Sequence, residues 1–236
     1  MKMVYNWINI IQDYLLPPTC ILCGNPGYDS RDICHPCYAQ LPGNNRCCSQ
    51  CAEILESPIM TPRILCGRCL STQPAFDLTY APFIHQGAIR HLISNLKFGT
   101  HYQNARLLGQ LLAEHLKHNA EMPDLILPVP LHKARYRSRG FNQAIEIART
   151  VSKEIHIPLD LTSCMRHRDT PHQIQLSAKR RRKNVKYAFS ITKPIVARHI
   201  AILDDVMTTG STAHELATLL KKFGVEKVDV WVCARA

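Results

Sequence analysis

Apolar positions along this chain of 236 residues change their spacing several times, and each change marks an element. Met1–Leu16 carries Val4, Trp7, Ile8, Ile11 and Leu15 at helical intervals, with Asn6, Asn9, Gln12 and Asp13 among them. That pattern predicts a short amphipathic helix, not a secretory signal with its unbroken apolar stretch. From Pro17 to about Gln73 helical periodicity fades and cysteine and proline become frequent. Beyond Pro74 the period alternates between that of strands and that of helices. Thr79–Ile84, the short buried Leu125–Pro130, Ile157–Met165, His199–Leu203 and Val228–Cys233 read as strands. Ala88–Phe98, Tyr102–His118, Asn142–Ile155 and Ser211–Phe223 read as helices, the second marked by Leu107, Leu108, Leu111 and Leu112. Strands alternating with helices predict an α/β fold with a mainly parallel sheet flanked by helices. The expected organisation is a helix over 1–16, a cysteine-rich region over 17–73 and an α/β domain over 74–236. No run approaches the ~18 uninterrupted apolar residues of a membrane-spanning helix, so the chain is not expected to be an integral membrane protein.

Cysteine changes the picture of the first region. Nine of the eleven cysteines fall between Pro17 and Gln73. Eight form two-residue-spaced pairs: Cys20/Cys23, Cys34/Cys37, Cys48/Cys51 and Cys66/Cys69. Such a knuckle aims two thiolates at one point, and two knuckles complete a tetrahedral zinc site, so a double zinc ribbon holding two Zn²⁺ is expected. Without a secretory signal the reducing cytoplasm is the expected compartment, which favours metal over disulfides. A region of this size with few large apolar side chains also needs a staple to fold. Consecutive pairing of the knuckles is simplest, and the spacing equally admits an interleaved cross-brace. Cys47 shifts the register of the third knuckle by one, but the two-residue spacing selects Cys48. His35 inside a knuckle reads as a bystander, and Cys164 and Cys233 in apolar strands as core.

The stretch Ile200-Ala-Ile-Leu-Asp-Asp-Val-Met-Thr-Thr-Gly-Ser-Thr212 carries the densest chemistry. An apolar strand delivers Asp204 and Asp205, and a small-residue turn then opens a helix. Ligands of open α/β sheets bind at that junction. Backbone N–H groups of Thr208, Thr209, Gly210, Ser211 and Thr212, with the positive end of the helix, favour a phosphate. Gly210 permits close backbone approach. Two carboxylates would repel phosphate, so ribose hydroxyls or a Mg²⁺ carrying pyrophosphate suit them better. A capped strand-to-helix turn would account for one acid and one threonine, not for the whole run.

Charge is confined to one stretch. The chain carries a formal +11, yet Leu131–Ile200 holds 16 Lys/Arg against 4 Asp/Glu, and the remainder sums to −1. His132–Arg139 and Lys179–Lys183 dominate it. Arg137, Arg139, Arg166 and Arg181 are candidates either to receive a pyrophosphate in a closing loop or to track a nucleic-acid backbone. Tyr136, Phe141 and Tyr187 offer stacking faces for unpaired bases, although the helical spacing of Phe141 from Ile145 suits the core better. Lys97-Phe98-Gly99 could put a cation near a pyrophosphate, but a single lysine after a helix reads more readily as surface.

Asp204-Asp-Val-Met-Thr-Thr-Gly-Ser-Thr212 resembles the 5-phosphoribosyl-1-pyrophosphate (PRPP) motif of type I phosphoribosyltransferases. With Pro128-Val-Pro-Leu131, Arg139-Gly-Phe-Asn-Gln143, Thr170-Pro-His-Gln173, Asn184-Val185, Ala188-Phe189 and the cysteine-rich start, the whole chain resembles the ComF/GntX family. The resemblance implies a type I phosphoribosyltransferase-like fold with Asp204 and Asp205 at the ribose of the reacting centre, Thr208–Thr212 at the 5′-phosphate, and Mg²⁺ arriving with PRPP. It further implies a part in DNA uptake during natural transformation. The expected function is binding of PRPP and of single-stranded DNA in the cytosol, with a competence helicase or recombination mediator as a further partner. The alternative is an active phosphoribosyltransferase with a nitrogen nucleophile as acceptor.

Overall fold

The longest strands are the segments whose sequence is apolar on both faces, as parallel strands covered on two sides require. A computed structural model describes residues 17–55, 64–99, 101–168 and 187–236. The helix expected over Met1–Leu16, the motif residues Thr170–Gln173, the run Lys179–Lys183 with Arg181, and Asn184 and Val185 lie outside the described residues.

Five strands form one parallel sheet. They are β1 (Thr79–Tyr80), β2 (Phe83–Ile84), β3 (Leu125–Pro128), β6 (His199–Met207) and β7 (Lys227–Arg235). β7 pairs with β1 and β2 on one side and with β6 on the other, and β6 pairs with β3. The stretch expected as a single strand over Thr79–Ile84 is split at Ala81-Pro82. Pro82 has no N–H to give the ladder, and its carbonyl instead accepts from Asn44 N at 2.8 Å.

The strand expected over Ile157–Met165 does not form as one piece. Pro158 interrupts the donors, Leu159 makes only an isolated parallel bridge to Ile126, and Asp160 Oδ1 then accepts from Thr162 N (2.8 Å) and Ser163 N (2.9 Å). That turn, of the kind aspartate side chains favour, redirects the chain. β4 (Cys164–Arg166) leaves it and pairs antiparallel with β5 (Phe189–Ile191) in a separate two-stranded sheet.

Helices α3 (Gly87–Gly99), α4 (Tyr102–Asn119) and α6 (Gln143–Ile155) cover one face of the large sheet. Leu92, Leu107, Leu108, Ile147 and Val151 meet Ala201, Leu203 and Trp231 there, all buried. Helix α7 (Ser211–Lys222) covers the other, where Leu216 and Leu220 meet Ile200, Ile202, Val228 and Val230. A seven-residue helix, α5 (Lys133–Arg139), falls in the first basic run and ends at Gly140, whose φ of 82° closes it in the left-handed region. Asn142 starts α6: its Oδ1 accepts from Ala144 N and its Nδ2 donates to Val129 O, both at 3.0 Å.

The cysteine-rich region is laid against this frame in two places. Its two five-residue helices, α1 (His35–Ala39) and α2 (Gly67–Ser71), each follow a knuckle cysteine and are too short for any periodicity to announce. Around Cys20–Cys37 the chain packs on α4: Arg31 pairs with Glu114 at 2.6 Å, Arg106 with Asp32, and Cys20, Ile33 and Cys34 join the apolar cluster of that face. Around Cys48–Cys69 it packs beside β7 and the start of α7, where Cys48, Cys51, Cys66 and Cys69 share a cluster with Phe76, Ala81, Leu216 and Val230.

Candidate functional site

Each knuckle is built alike. The carbonyl of its first cysteine accepts from the N–H four residues on: Gly24 on Cys20, Tyr38 on Cys34, Ala52 on Cys48, Leu70 on Cys66, at 2.8–3.0 Å. The turn leaves both thiols of a pair on its inner side. Knuckles join consecutively, so Cys20, Cys23, Cys34 and Cys37 form one group and Cys48, Cys51, Cys66 and Cys69 the other, with all sulfurs of a group within 4.8 Å of one another. Tetrahedral zinc with Zn–S near 2.3 Å places its sulfurs roughly 3.8 Å apart. Cys23 and Cys34 approach to 3.5 Å and Cys51 and Cys66 to 3.6 Å, so both groups fit the ion. Crowding sets the thiols of each group apart: against their burial, backbone N–H groups lower Cys20 to about 6 and lower Cys48 as well. Hydrogen bonding to Cys34 and Cys23 pushes the Cys37 thiol up to about 12, and burial with the neighbouring Cys51 pushes Cys69 up as well. A dication reverses that repulsion. Cys47, Cys164 and Cys233 stand outside both groups.

The second site lies where β6 hands over to α7. Successive side chains of a strand point to opposite faces, and here the two acids separate accordingly. Asp204 lines a recess with Val129, Ile202 and the turn Thr208–Thr212. Asp205, buried, pairs with Lys97 Nζ at 2.7 Å. Burial and the adjacent Asp205 push the Asp204 carboxyl up to about 7, against the lowering pull of the Asp205 N–H, Lys97 and Arg166.

Gly210 is the hinge of the turn. Its φ is 74°, and a Cβ there would meet Met207 Sδ at 3.3 Å and the Phe76 ring at 3.6 Å. Thr209 Oγ1 and Ser211 Oγ lie 2.8 Å apart. The first turn of α7 contains no acidic residue, so its N–H groups and dipole meet no carboxylate of their own helix.

Cations ring this end of the sheet. Besides Lys97, the buried Arg166 lies with its guanidinium 5.5 Å from the centre of the Phe189 ring and acts electrostatically on Asp204. Arg139 stands 5.9 Å over Phe98 and is attracted by Asp205, while burial pulls its pKa down. Arg137 is exposed on α5. Tyr136 and Tyr187 are exposed, whereas Phe141 is buried against Tyr102 with ring centres 5.1 Å apart. The structure thus brings Asp204, Asp205, Thr208–Thr212, Arg139 and Arg166 to one end of the sheet. Lys97, which the sequence offered as a possible cation near a pyrophosphate but more readily as surface, is half-buried on Asp205, because the end of α3 reaches this end of the sheet. Phe98 itself is 75% exposed, an unusual state for a phenylalanine.

Two consecutive four-cysteine groups set beside a parallel sheet that ends in an acid-and-hydroxyl turn define a double-zinc-ribbon protein on a parallel α/β frame. The model of the double zinc ribbon domain matches residues 11–70. The chain is 34% identical over 226 residues to the DNA utilization protein YhgH of Escherichia coli K12, covering 93% of this chain and 98% of that one. It is also 34% identical to competence protein F of Haemophilus influenzae, covering 92% and 96%. The chain belongs to the family of these two proteins. Among solved structures, the glutamine PRPP amidotransferase of B. subtilis overlaps 55% of this chain at 22% identity and a TM-score of 0.37, this chain spanning 26% of that enzyme. No helix among the described residues is long and apolar enough to cross a membrane.

Proposed function

We propose that this chain is a cytoplasmic protein of DNA utilization and uptake that holds PRPP, with its Mg²⁺, at the β6–α7 turn and binds single-stranded DNA on the cationic rim beside it. The observation that carries the reading is the recess lined by Asp204 and by Thr208–Thr212. A 5-phosphate seats on the amides at the positive end of α7, and a ribose hydroxyl donates to Asp204. Asp205 holds Lys97, which stands ready for the pyrophosphate, and Arg139 and Arg166 add charge on either side. The same cations, with Arg137 and the exposed rings of Phe98, Tyr136 and Tyr187, suit the phosphates and unpaired bases of a single strand. The names of the relatives point to DNA handling. A helicase or recombination mediator would then be the partner that takes the strand over.

Titration of PRPP–Mg²⁺ and of an oligodeoxythymidine into the full chain and into Asp204→Ala/Asp205→Ala tests this. PRPP affinity is expected to fall at least about tenfold in the variant, and DNA affinity to persist while dropping steeply between low and moderate salt. Absence of PRPP binding by the wild type overturns the nucleotide reading; DNA binding indifferent to salt overturns the phosphate track. A second reading, transfer of the phosphoribosyl group to a nitrogen nucleophile, is favoured by Lys97, Arg139 and Arg166 standing where a leaving pyrophosphate would gather charge. Pyrophosphate release on mixing PRPP with candidate bases decides it.

A further inference from the structure

Arg235 sits where a cation has no obvious business, on β7 with 2% of its surface exposed. Its Nε donates to the carbonyl of Cys51 at 3.1 Å, one guanidinium nitrogen donates to Met207 O at 3.1 Å, and the other pairs with Glu53. Cys51 belongs to the second cysteine group, and Met207 is the last residue of β6 before the Thr208–Thr212 turn. A single planar fork therefore clamps a metal knuckle to the root of the phosphate loop. Glu53 also accepts from Arg68 at 3.3 Å, and Arg68 reaches Cys51 Sγ at 3.6 Å, so both the carbonyl and the thiolate of that ligand are fixed. On the open side of this clamp lies a cleft of about 240 Å³ walled by Cys51, Cys69 and Arg68 from the ribbon and by Thr209, Gly210 and Ser211 from the loop. Phe76 closes its floor, touching the position above Gly210 while its carbonyl accepts from Gln50 Nε2 at 3.4 Å. The first cysteine group is anchored elsewhere. Its ion pairs, Arg31 to Glu114 and Arg106 to Asp32, run to α4.

We infer that the two zinc sites have different jobs: the first only staples the fold, whereas the second, through Arg235, positions the Thr208–Thr212 loop and is energetically coupled to whatever phosphate ligand that loop holds. Arg235 is a positioning residue that acts through Met207 and Cys51 and does not itself touch the ligand. The ligand half of this inference rests on the PRPP reading; the mechanical half does not. Coupling between two binding sites is reciprocal, so a phosphate on the loop must hold the second zinc more tightly by the same factor that zinc improves phosphate binding.

Two measurements on the full, zinc-loaded chain test it. In the first, amide hydrogen exchange of a peptide spanning Met207–Thr212 is followed in the wild type, in Cys69→Ser, in Arg235→Lys, which keeps the charge but loses the fork, and in Glu114→Gln, which loosens the first ribbon from α4. Exchange is expected to speed up in Cys69→Ser and in Arg235→Lys and to stay at the wild-type rate in Glu114→Gln. In the second, zinc release to a chelator is timed with and without PRPP–Mg²⁺; one of the two ions is expected to leave more slowly with ligand, by about fivefold or more, the lower end of ordinary coupling. Arg235→Lys should abolish that difference while retaining two zinc ions at rest. Unchanged loop exchange in the well-folded Arg235→Lys overturns the inference, as does protection of both ions alike. Faster exchange in Cys69→Ser and Arg235→Lys, with no PRPP binding by the wild type, leaves the clamp standing and overturns the PRPP reading alone.

Discussion

Replacing Asp204 with asparagine should stabilise the protein, and more so as the pH rises. In the fold this carboxyl is pushed up to about 7 from an ordinary value of 3.8, first by burial and then by Asp205. A carboxyl whose folded value lies above its unfolded one prefers to be protonated in the fold. The unfolded chain releases its proton from about pH 4, the folded one only near 7, so the folded state binds more protons across that window and stability falls as pH climbs through it. Taken whole, the displacement is worth up to about 4 kcal/mol above neutrality. Asp204 keeps some contact with solvent, and Lys97 offsets part of the repulsion, so about half, ~2 kcal/mol, is the working figure. For a chain of this length that is a rise of roughly 4–8 °C in melting temperature. Melting of wild type and Asp204→Asn should be compared at pH 4.5 and pH 8, taking the difference between them at each pH so that cysteine–zinc titration cancels. The difference should be small at the lower pH, about a quarter of its value at pH 8, and open fully at the higher. A gain equal at both, or none at pH 8, would refute an acid held near neutrality. The same acid should make PRPP binding strengthen between pH 6 and pH 8, because the carboxylate accepts from ribose more strongly than the protonated acid does.

Further outcomes follow from the geometry. Gly210→Ala should lower stability by about 1–2 kcal/mol for placing a Cβ in the left-handed region, read by denaturant unfolding, and weaken PRPP binding further by turning the loop amides. Strong chelation should release two zinc ions per chain and lower thermal stability by more than removal of either site alone, measured by metal analysis alongside melting. Phe98→Ala, at an exposed ring, should leave stability unchanged and weaken oligodeoxythymidine binding by roughly 1 kcal/mol, the low end of a base-stacking contact, measured by fluorescence anisotropy.

Much of the frame could be read from periodicity because the strands that carry it are apolar on both faces. The strands expected over His199–Leu203 and Val228–Cys233 form, although the structure extends each beyond the apolar run, β6 as far as Met207 with both acids inside it. Pro82 and Pro158 marked the two places where a predicted strand breaks, but only the ladder shows whether a missing donor matters. The cysteine spacing carried the ligand set, and the fold settled the pairing, since local turns bring each pair to the next in sequence. Arg235 was illegible and Lys97 undecided for one reason: each looks like an ordinary surface cation until strand order places Arg235 beside Met207 and α3 beside Asp205.

The position of β7 sets the order in which this molecule can assemble. It follows every other described strand in sequence yet occupies the middle of the sheet, with β1 and β2 on one flank and β6 on the other. During synthesis the knuckles emerge early and can load metal at once, while the surface that shelters the second knuckle cannot exist until β7 has left the ribosome. The thiols nearest the loop therefore stay exposed until β7 emerges, and contacts spanning so much of the chain close slowly. A nascent chain starved of zinc would suffer most in that interval, through oxidation or mispairing of Cys48–Cys69, well before the mature protein had anything to lose.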